Sequence, residues 1–153
     1  MPADLLIDRT AALDEIAKNL VPRASQLTRL LLGRGSRTLS RAEGGLLSTL
    51  SARPRRITEL AATEVLAQPT VTQLVDRLQK RGFVQRDRDA SDGRVVLVSI
   101  TDAGRDALEQ LRGEYRAQMR AAAADLPDDE LAALVRATES LQHLIDAVQE
   151  ARP

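Results

Sequence analysis

The stretch that decides the fold is TVTQLVDRLQKRGFVQRDRDASDGRVVLVSITDAG, Thr70 to Gly104. Its hydrophobic period changes halfway. Val71, Leu74, Val75 and Leu78 recur at steps of three and four, which places them on one face of a helix. Beyond Gly82 the pattern becomes two short runs, Phe83–Arg88 and the valine-rich Val95–Ile100, and these read as strands. DASDG between them carries the acidic and small residues of a tight turn, so the strands form a hairpin. The helix begins near Gln68–Pro69, where a proline in the first turn lacks only an N–H that has no intrahelical partner there. Gly82 closes it, and Thr101 caps a further helix.

Upstream, Ser40-x-x-Glu43 has the form of a capping box that opens a helix through about Leu50. Pro54 follows a short turn. Thr58 is the expected N-cap of the next helix, with Glu59 against its positive end. Leu60, Ala61 and Val65 or Leu66 are expected to face inward. A stripe of Leu13, Ile16, Leu20, Ala24, Leu27 and Leu31 predicts a long N-terminal helix, with GRGSR (33–37) as the loop that follows. After Thr101, Ala107, Leu108, Leu111, Tyr115 and Met119 mark one long helix. DLPDDE breaks the chain before a last helix, whose line runs Leu131, Leu134, Thr138, Leu141, Ile145, Val148. Its steps of three and four are those of a coiled-coil seam.

The composition narrows the function. The chain has 153 residues, the size of one compact unit, with 43% hydrophobic residues but only Phe83 and Tyr115 as aromatics. Basic and acidic residues balance at 22 each, so any basic surface is local. Between Arg53 and Arg94 there are nine basic and six acidic residues. Cysteine is absent and His143 is the sole histidine, which excludes disulfides and thiolate zinc sites and leaves no multi-histidine metal site. The acids of DLPDDE are a helix start without a neighbouring base or nucleophile, and no catalytic constellation is present, so the expectation is a protein that is not an enzyme and has no cofactor. No apolar run is long enough to cross a membrane and the start is acidic at Asp4 and Asp8, which points to the cytoplasm.

The middle of the chain, from RITELAATEVLAQP through the quoted stretch, resembles the winged helix-turn-helix of the MarR family of bacterial transcription regulators. TVTQLVDRLQKRGFVQR is similar to that family's recognition helix and first wing strand, and SDGRVVLVSITDAG to its wing: an aspartate two before an arginine, then strand, threonine and glycine. The motifs cover about Ser40 to Gly104. The fold implied is mainly α with a small β-hairpin wing: a winged helix-turn-helix core (37–104) between an N-terminal dimerisation helix region (1–36) and C-terminal dimerisation helices (105–153). The resemblance implies a homodimer on a near-palindromic operator of double-stranded DNA. It also implies a repressor more than an activator, and response to a small-molecule effector. The family's thiol-oxidation mechanism has no cysteine to use here, and its zinc-sensing branch would find one histidine.

The residue chemistry agrees. Pro69, Thr70, Thr72, Gln73, Asp76, Arg77 and Lys80 lie away from the apolar face, and Gln68 opens the helix before them. Small polar groups near the start of the helix suit base edges in the major groove, and the later cations suit phosphate or guanine. Gln73 has the amide geometry to pair with adenine. A wing beside such a helix lies over the minor groove, whose negative potential favours arginine, and Arg94 is the candidate. Asp92 is expected to orient the Arg94 guanidinium through a charge-assisted bond, and Arg86 and Arg88 to meet phosphates. The plainer role of Arg94 is to hold the turn by pairing with Asp92 or Asp89.

Three positions depart from the family pattern. Ala67 stands where a serine or threonine cap is common, Val65 where a turn glycine is frequent, and Gln73 where arginine is frequent. Val65 resists a left-handed backbone, which implies a turn of different shape. The other function class left by Gln73 and the neutral charge is a winged-helix protein-interaction module that has lost DNA binding.

Overall fold

The computed structural model describes residues 8–32, 38–89, 92 and 94–151. The GRGSR loop (33–37) and the turn residues Ala90, Ser91 and Gly93 lie outside the described residues. Among the described residues six helices and one hairpin follow in the order α1 (Arg9–Leu32), α2 (Arg41–Ala52), α3 (Ile57–Glu64), α4 (Gln68–Lys80), β1 (Val84–Arg88), β2 (Val96–Ile100), α5 (Asp102–Ala123) and α6 (Asp128–Glu150). The chain divides into two compact units, 1–115 and 116–153.

The core of the first unit is aliphatic, as the composition requires. Leu46, Leu47 and Leu50 of α2, Leu60 of α3, Val71, Val75 and Leu78 of α4, and Val84 and Val98 of the hairpin are at most 2% exposed. Ala107, Leu108 and Leu111 of α5 complete it, and Tyr115 packs at its margin. Each fully buried leucine or valine contributes about 1.5–3 kcal/mol, so this cluster is where the stability of the domain resides.

The boundaries follow from local hydrogen bonding. Asp8 Oδ1 accepts the free amides of Thr10 (3.0 Å) and Ala11 (3.2 Å) at the start of α1. The expected capping box is present at α2. Glu43 N–H donates to Ser40 Oγ at 3.3 Å, and Ser40 N–H donates to Glu43 Oε2 at 2.8 Å. At α4, Gly82 takes φ +75°. Its N–H reaches Gln79 O (2.9 Å) and that of Phe83 reaches Leu78 O (2.9 Å), the paired bonds of a Schellman ending. Thr101 Oγ1 accepts the Gly104 N–H at 3.1 Å and donates to Gly82 O at 2.6 Å, so one hydroxyl caps α5 and ties it to the end of α4.

Two expectations need correction. The cap of α3 is Arg56, not Thr58. The Glu59 carboxylate accepts the Arg56 backbone N–H at 3.1 Å, so the helix starts two residues earlier. The segment just before it is extended and pairs with the wing: Arg55 N–H donates to Val98 O (3.0 Å) and Val98 N–H to Arg55 O (2.8 Å). That pairing ends at Arg55, and the helix begins as soon as it is free to.

The second correction concerns Val65. The turn between α3 and α4 keeps its left-handed corner, with Val65 at φ 54°, ψ 45°. Its side chain is 77% exposed, while Leu66 N–H bonds Ala61 O at 3.0 Å and the Leu66 side chain packs against the core. The docking of α3 and α4 sets the turn, and the valine carries the strain. A β-branched residue there is disfavoured by about 1–3 kcal/mol, whereas glycine returns part of that through its own backbone entropy. Val65→Gly is therefore expected to stabilise the protein by about 1 kcal/mol, read as a higher urea midpoint. An unchanged or lower midpoint would show that the corner is unstrained.

Most of the exposed large apolar side chains among the described residues are on α1 and α6. On α1, Leu13, Ile16, Val21, Leu27 and Leu30 are exposed, and the helix runs through Pro22. On α6, Leu134, Leu141, Ile145 and Val148 are exposed, as are Val135 and Leu144.

Candidate nucleic-acid interface

α3, the Val65 corner and α4 form a helix-turn-helix, and the β1–β2 hairpin follows α4 directly. Burial of Val71, Leu74, Val75 and Leu78 fixes the rotation of α4. That rotation leaves Gln68, Pro69, Thr70, Gln73, Arg77 and Lys80 exposed together on its outer side. Thr72 is half-buried and its hydroxyl donates to Gln68 O at 3.0 Å. Ala67 at the N-cap offers no side-chain bond to the first turn.

The cations on α4 are not equally free. Glu43 on α2 is buried, and Arg77 Nε lies 4.0 Å from its Oε1 while Arg81 Nη1 lies 3.5 Å from its Oε2. Arg81 also donates to Thr38 O and stacks over the Phe83 ring at 4.6 Å from the centroid. Arg81 thus secures the C-terminal end of α4 to α2. Arg77 keeps 59% of its side-chain exposure at a looser distance and can reach outward. Lys80 is exposed.

In the hairpin, Val84 pairs with Ile100, Arg86 with Val98 and Arg88 with Val96. Alternation places Val84, Arg86, Val98 and Ile100 on the inner face. Gln85, Asp87 and Ser99 lie on the outer one, where Asp87 Oδ2 accepts from Gln85 Nε2 (2.9 Å) and Ser99 Oγ (3.2 Å). Arg86 is half-buried and bonded to Asp76 and Gln79 of α4. Arg88 is exposed further along β1.

At the turn, the Asp92 carboxylate takes the Arg94 backbone N–H at 3.0 Å, rather than the guanidinium that the sequence suggested. Asp92 N–H donates to Asp89 Oδ1 (3.3 Å), and Val95 N–H to Asp92 O (2.9 Å). The aspartates therefore shape the backbone of the turn, and Arg94 is left with an exposed side chain.

Sequence reasoning missed Arg55, whose backbone extends the wing sheet by one bridge to β2. The signal was Pro54: a residue before proline is driven to extended backbone, and Arg53 sits at φ −165°, ψ 159°. A further feature of the first unit is an open cavity of about 610 Å³ between α2 and α5. Gly44, Gly45, Leu66, Leu108 and Leu111 supply its apolar lining, and Arg41, Ser48, Glu64, Arg112 and Tyr115 its polar groups. Burial, with a smaller contribution from the Glu114 charge, holds the Tyr115 phenol above its ordinary pKa, so at neutral pH it is an O–H donor.

Residues 39–96, from the start of α2 into β2, match the MarR family. The uncharacterised helix-turn-helix transcriptional regulator YsmB of Bacillus subtilis is 31% identical over 87 residues, covering 57% of this chain and 60% of that protein. The chain thus spans about a third to three fifths of the length of the curated relatives it matches. A Pseudomonas aeruginosa structure described as a "probable transcriptional regulator" is 30% identical with a TM-score of 0.60, over 89% of this chain and 98% of the other. The PcaV transcriptional regulator of Streptomyces coelicolor, solved with its natural ligand, is 26% identical with a TM-score of 0.58, over 89% of this chain and 95% of the other. The matched segment holds the helix-turn-helix and the first wing strand, and the structural likeness extends over the terminal helices: the chain belongs to the MarR family, with the winged helix-turn-helix that its sequence resembles.

Proposed function

We propose that this protein is a transcription regulator that binds double-stranded DNA as a homodimer and represses from a near-palindromic operator. The observation that carries the reading is the pairing of an exposed polar face on α4 with a hairpin whose Arg88 and Arg94 are exposed beside it. α4 enters the major groove with Gln68, Pro69, Thr70, Thr72 and Gln73 toward base edges and Arg77 and Lys80 toward the backbone. Arg94 enters the adjacent minor groove, with Asp92 holding its backbone in place. The exposed apolar residues of α1 and α6 supply the surface that a second copy covers, and two-fold symmetry then sets the recognition helices one DNA turn apart, ~34 Å.

The cavity between α2 and α5 is the place for a small-molecule effector. Its volume falls within the range of about 300–1,000 Å³ usual for such sites. Arg41 and Arg112 with the Tyr115 hydroxyl favour an anionic group on their side, the Glu64 carboxylate beside Gly45 turns such a group away from its own, and Leu108 and Leu111 favour an apolar body. The ligand of PcaV is the precedent among the structural neighbours.

The test of DNA binding is a titration on the duplex that the wild-type protein selects from a random library, at several salt concentrations. Arg94→Ala is expected to weaken binding and leave the fold intact, since the side chain is exposed. If Arg94 meets phosphate, the slope of log affinity against log salt flattens by about one unit. If it reads groove shape, discrimination falls at A·T-rich flanks. Gln73→Ala relaxes one major-groove position per half-site by about 1–3 kcal/mol. Unchanged binding in the Arg94→Ala, Gln73→Ala double variant would refute the reading and favour a protein-interaction module.

A further inference from the structure

Arg86 was expected from the sequence to meet phosphate, but its surroundings give it another task. It stands on the inner face of β1, opposite Val98 and one pleat from Val84. Its Nη2 bonds Asp76 Oδ1 at 2.7 Å and its Nη1 bonds Gln79 Oε1 at 2.8 Å. Asp76 and Gln79 are three residues apart on α4, so they lie on one side of the helix, one turn apart. The planar guanidinium therefore grips the recognition helix at two points. Its side chain is 27% exposed, and turning it toward DNA would break both bonds and leave Asp76 as an uncompensated negative charge beside the phosphates.

We infer that Arg86 is a positioning residue: with Asp76 and Gln79 it locks the wing to the recognition helix and so fixes where the wing arginines stand relative to the major-groove face. This rests on the DNA-binding reading above. The hairpin needs such a lock. Burial of Val84, Val98 and Ile100 anchors the base of the hairpin, but two strands of five residues, whose one further pairing among the described residues is the Arg55 bridge to β2, have little to hold the angle of the part beyond it. Fixing the angle before DNA arrives removes an ordering cost from binding. The arginine also masks Asp76, an acid that otherwise sits on a helix meant for a polyanion.

The test uses the duplex selected by the wild-type protein, with Arg86→Ala, Asp76→Ala and their double variant. For a lock, each single change weakens binding about tenfold and the double variant is no worse than either. The salt slope stays at the wild-type value, because no phosphate contact is lost. Preference at the minor-groove flanks falls while preference at the base pairs read by α4 is kept, a split that general destabilisation would not produce. Arg86→Lys restores only part of the affinity, because one ammonium cannot reproduce the fork. For a phosphate ligand the outcomes differ. Arg86→Ala then flattens the salt slope by about one unit, Arg86→Lys binds almost as wild type, and Asp76→Ala tightens binding. Any of these three would overturn the inference. Hydrogen exchange of the Val84–Arg88 amides without DNA supplies a reading independent of the operator. Faster exchange in Asp76→Ala and in Arg86→Ala supports the lock, and wild-type exchange in both overturns it. A wild-type protein that selects no duplex would refute the DNA-binding reading instead, and the exchange result would still stand on its own.

Discussion

A protein carrying Leu141→Arg and Ile145→Arg should sediment as a monomer at micromolar concentration and lose nearly all affinity for a two-half-site operator. Both residues are on the last helix, one turn apart, with 39% and 40% exposure. Neither belongs to the core cluster of the first unit, so the winged helix-turn-helix keeps its helical circular dichroism. On the proposed dimer, the loss follows from valency. Once one half of a dimer has bound, the second recognition helix meets its half-site at an effective concentration in the millimolar range, and uncoupling the two removes about 10²–10⁴ of affinity without touching a DNA contact. In the proposed dimer an arginine at either position leaves an unpaired charge among the apolar side chains of the contact. Sedimentation and titration on full and half operators check the result. A monomeric wild-type protein, or a double variant with wild-type affinity, would show that this face does not assemble the regulator.

The second large effect is on stability. Gly104→Ala should destabilise the protein by about 2–4 kcal/mol. Gly104 is in the first turn of α5, where alanine would ordinarily be the better residue by about 1 kcal/mol. Here a Cβ would lie 2.1 Å from the backbone oxygen of Phe83 and 2.9 Å from the Ile100 side chain. Phe83 O cannot swing aside, because it accepts the Thr101 N–H at 3.1 Å and follows the Schellman ending of α4. Relief requires α5 to move away from the base of the wing, which strains the Thr101 bonds to Gly82 and Phe83 together. Gly82→Ala makes the contrast: its φ is positive but nothing lies within 4 Å of the added carbon, so it should cost only about 1 kcal/mol. Urea melts of the two variants decide the matter, and a Gly104→Ala protein as stable as wild type would mean that α5 does not pack on the wing as described.

The elements legible in the sequence were those whose bonds are local. Ser40 and Glu43 cap each other across three residues, Gly82 ends α4 within its own last turn, and Thr101 accepts from Gly104. The inward face of α4 was equally plain, because a 3.6-residue period leaves Val71, Leu74, Val75 and Leu78 only one side to share. The start of α3 was misread because a threonine beside a glutamate has the form of a cap. The choice of Arg56 was made by Arg55, which is held by Val98, a residue 43 positions away.

The wing shows the same division. Its two strands and the wing arginine Arg94 could be read from the alternation and the family motif. The alternation also put Arg86 on the face of Val84, but nothing local told where that face would rest. Only the packing of β1 on α4 brought its guanidinium to Asp76 and Gln79, as only the approach of α5 to Phe83 made Gly104 indispensable. The sequence by itself determined the order of the helices, the caps of α2 and α5 and the glycine end of α4, the buried face of α4 and the family. The tertiary structure decided which charged groups remain free for a partner, because a side chain ten residues from its counter-ion has no periodic signature and is claimed only when two surfaces meet.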